Sequence, residues 1–403
     1  MWAVLAALFF LQAADPVADG QKALSAGRYE EAVQDFTQAV TLHPQDYFSH
    51  FNLALALGFL KRDPEAVAEY RKTLELKPGL YEAEANAGIL LLRDKEPAEA
   101  LPLLEAAAGQ KPSEFQPRFH LAEAELDAGA PEKSEADFRK ALELDAKCSD
   151  CELGLGRALA REDKLAEAAP HFQQAAAMTP AHRNALLELA GLYDKAGAGA
   201  EAIALYRQFP ENAAAQQRIG ELLVDAKQYG DAVARLQAAY AKDPTAANRT
   251  LLAQAYVLNH QPGEAEPLLA QNVAADPGNF DLRMMYARAL RDLRRFPEAV
   301  AQFEEAAKLK PADGMVWSEM AASRYFTPDV KQTLADLDRA RDLGENTAGN
   351  WFLRAILLDK LSQSKQALEA YQRFLSMSQG KNPDQEFQAR QRARAIQLEM
   401  ERR

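Results

Sequence analysis

One phrase in this chain returns at a fixed interval, and that interval limits the fold more than any single motif does. "RYEEAVQDFTQAVTLHP" runs from Arg28 to Pro44, and "RFPEAVAQFEEAAKLKP" runs from Arg295 to Pro311. Aligned on the small residue that follows its first acids, the phrase recurs at Ala32, Ala66, Ala100, Ser134, Ala168, Ala202, Ala232, Ala265, Ala299, Thr333 and Ala367. The steps are 34 residues except for 30 before Ala232 and 33 before Ala265. Four residues after each key position stands a bulky apolar one: Phe36, Tyr70, Leu104, Phe138, Phe172, Tyr206, Leu236, Leu269, Phe303, Leu337 and Tyr371. Twelve residues before it stands another small one, such as Gly88, Gly156, Gly220, Ala253 or Ala287. Self-similarity held over eleven units predicts a stack of like modules, each too small to bury its apolar stripe alone.

Each module reads as a helical hairpin. Ala, Leu, Glu, Gln and Arg dominate and β-branched residues are sparse, so the chain is expected to be all α. Small residues on facing helices let two backbones approach closely, and the bulky residue fills the space beside that contact. Pro44, Pro78, Pro112, Pro180, Pro244, Pro277 and Pro311 close many units, because proline cannot continue a helix. These positions together resemble the tetratricopeptide repeat family, over nearly the whole chain after its first residues. The resemblance implies a right-handed superhelical solenoid of about eleven helix–turn–helix units with a C-terminal capping helix.

The sixth unit ends early at "ALYRQFPEN", which sets a seam between an N-terminal array (residues 15–210) and a C-terminal array (residues 211–376). Residues 377–403 read as a turn and a polar capping helix, with Phe387, Ile396 and Leu398 as its apolar residues. Residues 1–14 differ from the rest. "MWAVLAALFFLQAADP" carries an apolar run from Trp2 to Leu11, shorter than the roughly 20 residues that span a bilayer. It suits a secretory signal processed near Ala13 or Ala14, although no Lys or Arg precedes the run. The alternative is an apolar first helix packed on the array.

A net charge of −12 argues against nucleic acid as a partner, since phosphates call for basic patches. No stretch after the leader is apolar enough to cross a membrane. Cys148 and Cys151 are the only cysteines. They lack the further ligands of a zinc site and the βαβ setting of a redox dithiol, and a local disulfide at a turn is the favoured reading. The six histidines fall at unrelated repeat positions, and the two glycines of "ELGLGRALA" sit inside a repeat helix rather than in a phosphate loop. No metal, no cofactor and no catalytic residue is expected.

Function then lies in surfaces. In the family resembled, first helices line the face where peptides or partner helices lie, at positions 2, 5, 9 and 13 of each unit. Unit two supplies Phe48, Phe51, Leu55 and Phe59 there, and Ile89 and Phe119 follow from the next two units. They suggest a groove for an apolar segment, unless curvature or the leader covers them. Arg288 and Arg291, with Arg283, Arg294 and Arg295 nearby, suggest a grip on a carboxylate; pairing with neighbours such as Asp292 is the alternative. Some family members clamp a C-terminal carboxylate through Lys and Asn. Asn52 and Asn86 are placed for this, but Val17, Glu82 and Ala85 stand where basic residues are wanted. The reading is a scaffold for a peptide or protein partner, exported to the periplasm or secreted from a bacterium. A cytoplasmic co-chaperone or regulatory adaptor, and a redox protein using the cysteine pair, are the alternatives.

Overall fold

The computed structural model describes residues 15–401, so the leader read over residues 1–14 lies outside the described residues. The first six hairpins pair α1 (Pro16–Ser25) with α2 (Tyr29–Leu42), α3 (Tyr47–Phe59) with α4 (Asp63–Leu76), and α5 (Tyr81–Arg93) with α6 (Pro97–Gln110). They continue with α7 (Phe115–Asp127) and α8 (Pro131–Leu144), α9 (Ser149–Arg161) and α10 (Leu165–Met178), and α11 (Ala185–Lys195) and α12 (Gly199–Tyr206). The next five begin with α13 (Ala213–Asp225) and α14 (Tyr229–Lys242), α15 (Ala246–Leu258) and α16 (Pro262–Ala275), and α17 (Phe280–Asp292) and α18 (Phe296–Leu309). They end with α19 (Gly314–Arg324) and α20 (Val330–Asp342), and α21 (Ala348–Lys360) and α22 (Ser364–Ser378). A last helix, α23 (Pro383–Glu401), follows them. No strand occurs among the described residues, and the architecture is an all-α solenoid of eleven hairpins.

Every key small residue, from Ala32 to Ala367, has 0% of its surface exposed. The reason is close packing. A Cβ added at Gly88 would lie 2.6 Å from the Leu104 side chain, and one at Gly220 would lie 2.4 Å from Leu236. Ser134 fits at a key position because its hydroxyl donates to the Ala122 carbonyl at 2.8 Å. The bulky residues four positions on are buried in ten units. Tyr206 is half-buried, because α12 stops at it after eight residues where full second helices have fourteen or so. A 3-10 segment, Pro180–Asn184, also takes the place of the first turn of unit six, which the repeat register did not foretell.

The turn inside each hairpin has its own rule. In ten units it passes through a residue with positive φ, five positions before the key small residue: Gly27, Lys61, Lys95, Gly129, Asp163, Gly197, Lys227, His260, Arg294 and Ser362. At Lys61 the turn closes with Arg62 N–H donating to Leu57 O at 3.0 Å and Lys61 N–H to Gly58 O at 3.1 Å, the bonding of a Schellman cap. First helices start differently, with side-chain caps such as Asp46, Asn212, Asn279 and Thr347. Each accepts backbone N–H groups that the helix leaves unpaired.

The chain divides into two compact units, one running to Leu205 and the other starting at Tyr206. In the second, α23 lays Ala389, Ala393 and Ile396 against Phe374 and Tyr371 of α22. Two of the three apolar residues read in this helix behave otherwise: Phe387 is 63% exposed and Leu398 is 46% exposed. The buried stripe follows steps of four and three through Ala389, Ala393 and Ile396, and Phe387 and Leu398 lie off it.

Candidate functional site

The first unit holds a cleft of about 190 Å³ between α3, α4 and α5. Leu55 and Phe59 of α3 and Ile89 of α5 line it, three of the residues read from the repeat positions. α3 is apolar on nearly every side, and such a helix normally lies within a core. Phe59 breaks that rule. It is 55% exposed, and its only ring neighbour among the described residues is Tyr29, stacked at 4.5 Å between centroids. Gly58 keeps the wall low, since a Cβ there would touch only Leu90, at 3.8 Å.

The rest of the expected stripe is used elsewhere. Phe51 packs on the hairpin core with its ring edge on Tyr70, 5.7 Å between centroids. Phe119 stacks on Phe115 at 5.6 Å and meets Phe138 at 6.2 Å, and Phe48 is half-buried outside the cleft. The aromatic residues at position 5 are thus drawn inward, and the cleft is built from positions 9 and 13.

Polar groups at the cleft are already engaged. Tyr70, deep in it, is held as a neutral phenol with its pKa pushed up to about 12 by burial, and it accepts a hydrogen bond from Asn86 Nδ2 at 3.2 Å. Asn52 donates to Phe48 O of its own helix at 2.8 Å. Each amide thus has a partner within the fold, and Val17, Glu82 and Ala85 supply no positive charge for a carboxylate clamp. Arg93 at the mouth is held by Asp63, which is buried. The cleft offers an apolar surface and no free nucleophile.

A larger cleft of about 400 Å³ opens on the same first-helix positions in the second unit, between α15, α17 and α19. Arg288 lines it, but its guanidinium is already taken: Nε and Nη2 donate to Glu319 at 2.8 and 2.6 Å. Arg291 Nη1 donates to the same carboxylate at 3.2 Å, and its Nε to Asp292 at 3.3 Å. The pairing reading fits these two arginines, and an open grip on an acidic peptide does not. Reading aromatic and arginine positions also missed the cleft's floor, Met284 and Met285 of α17 with Val257 and Leu258 of α15. The adjacent Met284-Met285 pair was the available signal.

Cys148 and Cys151 are joined by a disulfide at the start of α9, S–S 2.09 Å. Cys148 is the half-buried N-cap, its Sγ accepting the Cys151 N–H at 2.9 Å, and Cys151 is fully buried. Four histidines pair with single carboxylates: His50 with Glu69, His120 with Glu123, His171 with Glu152 and His182 with Asp150. No group of three metal-ligating side chains gathers among the described residues, and none of their helices is long and apolar enough to cross a membrane.

Comparison with known proteins adds the family. One tetratricopeptide repeat model matches residues 17–81, 86–147 and 153–217, and a second matches residues 256–322. The Hsp70-Hsp90 organizing protein of Triticum aestivum is 34% identical over 114 residues, which cover 28% of this chain and 20% of that protein. The chain thus spans about a fifth of that relative's length. Among solved structures, MamA from Desulfovibrio magneticus RS-1 is 27% identical, with 40% of this chain and 92% of that one covered, at a TM-score of 0.38. A MamA AMB-1 structure is 25% identical, with 42% and 95% covered, at 0.39. With the repeat matched over most of the chain and its hairpins in place, this chain belongs to the tetratricopeptide repeat family.

Proposed function

We propose that this protein is a scaffold that holds an apolar segment of a protein partner on its first helices and performs no chemistry of its own. The exposed Phe59 beside Leu55 and Ile89 is the observation that carries this reading. A half-exposed aromatic ring over an apolar cleft is a common anchor point of protein interfaces. The acidic chain suits a protein rather than a nucleic-acid partner. Phe59→Glu and Leu55→Glu alter this surface without opening the core that Phe51 helps fill. Pull-downs from native extract should recover the partner with the unchanged chain and lose at least about nine-tenths of it with Phe59→Glu, a change of about 1.4 kcal/mol. Undiminished recovery sinks the proposal.

The apolar run from Trp2 to Leu11, read as a secretory signal over residues 1–14, supports export of this scaffold, and the cysteine pair suits an oxidising compartment. Similarity to an Hsp70-Hsp90 organizing protein favours a second reading, a cytoplasmic adaptor. N-terminal sequencing of the native protein separates them: a start at Ala14 or Asp15 supports export, and a retained leader supports the adaptor.

A further inference from the structure

The second-unit cleft has a chemistry opposite to the one its arginines suggest. Its floor is aliphatic and thioether, with Met284, Met285 and Leu258 joined by Met315, which is 49% exposed. Unbranched thioether chains repack around apolar guests at little cost. At about 400 Å³ the cleft falls within the range of about 300–1,000 Å³ typical of ligand sites.

Charge decides what kind of guest fits. Arg288 and Arg291 pair off with Glu319 and Asp292. Two lining carboxylates remain with no ion pair among the described residues, Asp281 in the first turn of α17 and Asp313, which caps α19 by accepting the Met315 N–H at 3.0 Å. Both act on Arg288 through space, but its guanidinium is already in contact with Glu319. Two further cations lie nearby, Lys310, seated 3.9 Å over the Phe280 ring, and Arg283, whose guanidinium donates to Pro277 O and Gln302, but the cleft itself is lined by two carboxylates and only one arginine.

We propose that this cleft binds the apolar side of a cationic amphipathic segment of a partner protein. Leu or Met side chains lie on the methionine floor, and Lys or Arg side chains face Asp281 and Asp313. The proposal rests on the reading of the first-helix face as a docking surface and adds a second site of stated chemistry.

The test is fluorescence anisotropy of the full chain with two labelled synthetic helical peptides, one of Leu and Lys and one of Leu and Glu on the same pattern. The Leu/Lys probe should bind at least about tenfold tighter, and Asp281→Asn with Asp313→Asn should weaken it about tenfold. Asn caps a helix as well as Asp, so α19 keeps its start. The net charge of −12 attracts any cationic probe. Glu132→Gln with Glu143→Gln, exposed in the first unit, makes the same charge change elsewhere and should leave binding unaltered. Equal loss in the two double variants, equal binding of the two probes, or no binding of the Leu/Lys probe overturns the proposal. None of these results touches the Phe59-dependent recovery of a partner by the first unit, so the two failures are distinguishable.

Discussion

Single residues here are chosen for backbone shape as often as for packing. Gly129 sits at φ 79° in the turn between α7 and α8, and Lys61 and Arg294 hold the equivalent positions at 58° and 59°. A side chain in that region costs roughly 1–2 kcal/mol. Lys61→Gly or Arg294→Gly should therefore raise the urea midpoint at unchanged slope, a gain of about 0.5–1 kcal/mol each, and Gly129→Ala should lose about as much. A lower midpoint for either Gly variant contradicts the assignment. The key small residues were legible in the sequence because their type repeats. The left-handed position was not, since Lys, Asp, His, Arg and Ser hide the three glycines that mark it. The disulfide was legible only as a possibility, because a spacing of three permits the bond without requiring it. It closes so short a loop that replacing both cysteines by Ser should cost no more than about 2 kcal/mol in thermal or urea unfolding.

Within an element, the two helices of a hairpin are joined by a polar clasp that the sequence conceals. In five hairpins a pair nineteen residues apart bonds across the two helices: His50 with Glu69, Arg118 with Asp137, His171 with Glu152, Arg235 with Gln216, and Arg283 with Gln302. The positions are constant and the residue types are not, so no motif announces them. A double-mutant cycle on Glu152→Ala and His171→Ala should show a coupling of about 1 kcal/mol in urea unfolding, and additive losses would remove the clasp from the account. Beside the clasp of α7 and α8, burial first and the Asp137 carboxylate second push the Glu125 carboxyl up to about 7. A carboxyl raised in the fold contributes stability that is complete below its unfolded value, near 4.5, and is lost as pH rises through about 7. Glu125→Gln should flatten the fall in stability across that window and leave the protein at pH 8 more stable, by on the order of 1–2 kcal/mol after screening. An unchanged pH slope would contradict the environment described for Glu125. The lining of the first cleft was partly legible: Leu55, Phe59 and Ile89 followed from repeat positions, whereas Phe51 and Phe119 look alike in sequence and turn into the core.

At the scale of the whole molecule, repeats pass stability only to their neighbours, so damage should stay local. Ile396 is fully buried under the last hairpin. Ile396→Asp should strip hydrogen-exchange protection from α21 to α23 and leave residues 15–205 as protected as before. Uniform loss would mean a single cooperative fold. The scaffold reading depends on which face the partner meets, and one measurement addresses that directly. A photo-crosslinking side chain is placed in turn at Leu55, Phe59 and Met285 on first helices, and at Arg71, Lys140 and Lys308 on second helices, in native extract. The account predicts partner crosslinks from the first-helix positions and little from the others. Crosslinks chiefly from Arg71, Lys140 or Lys308 would contradict it.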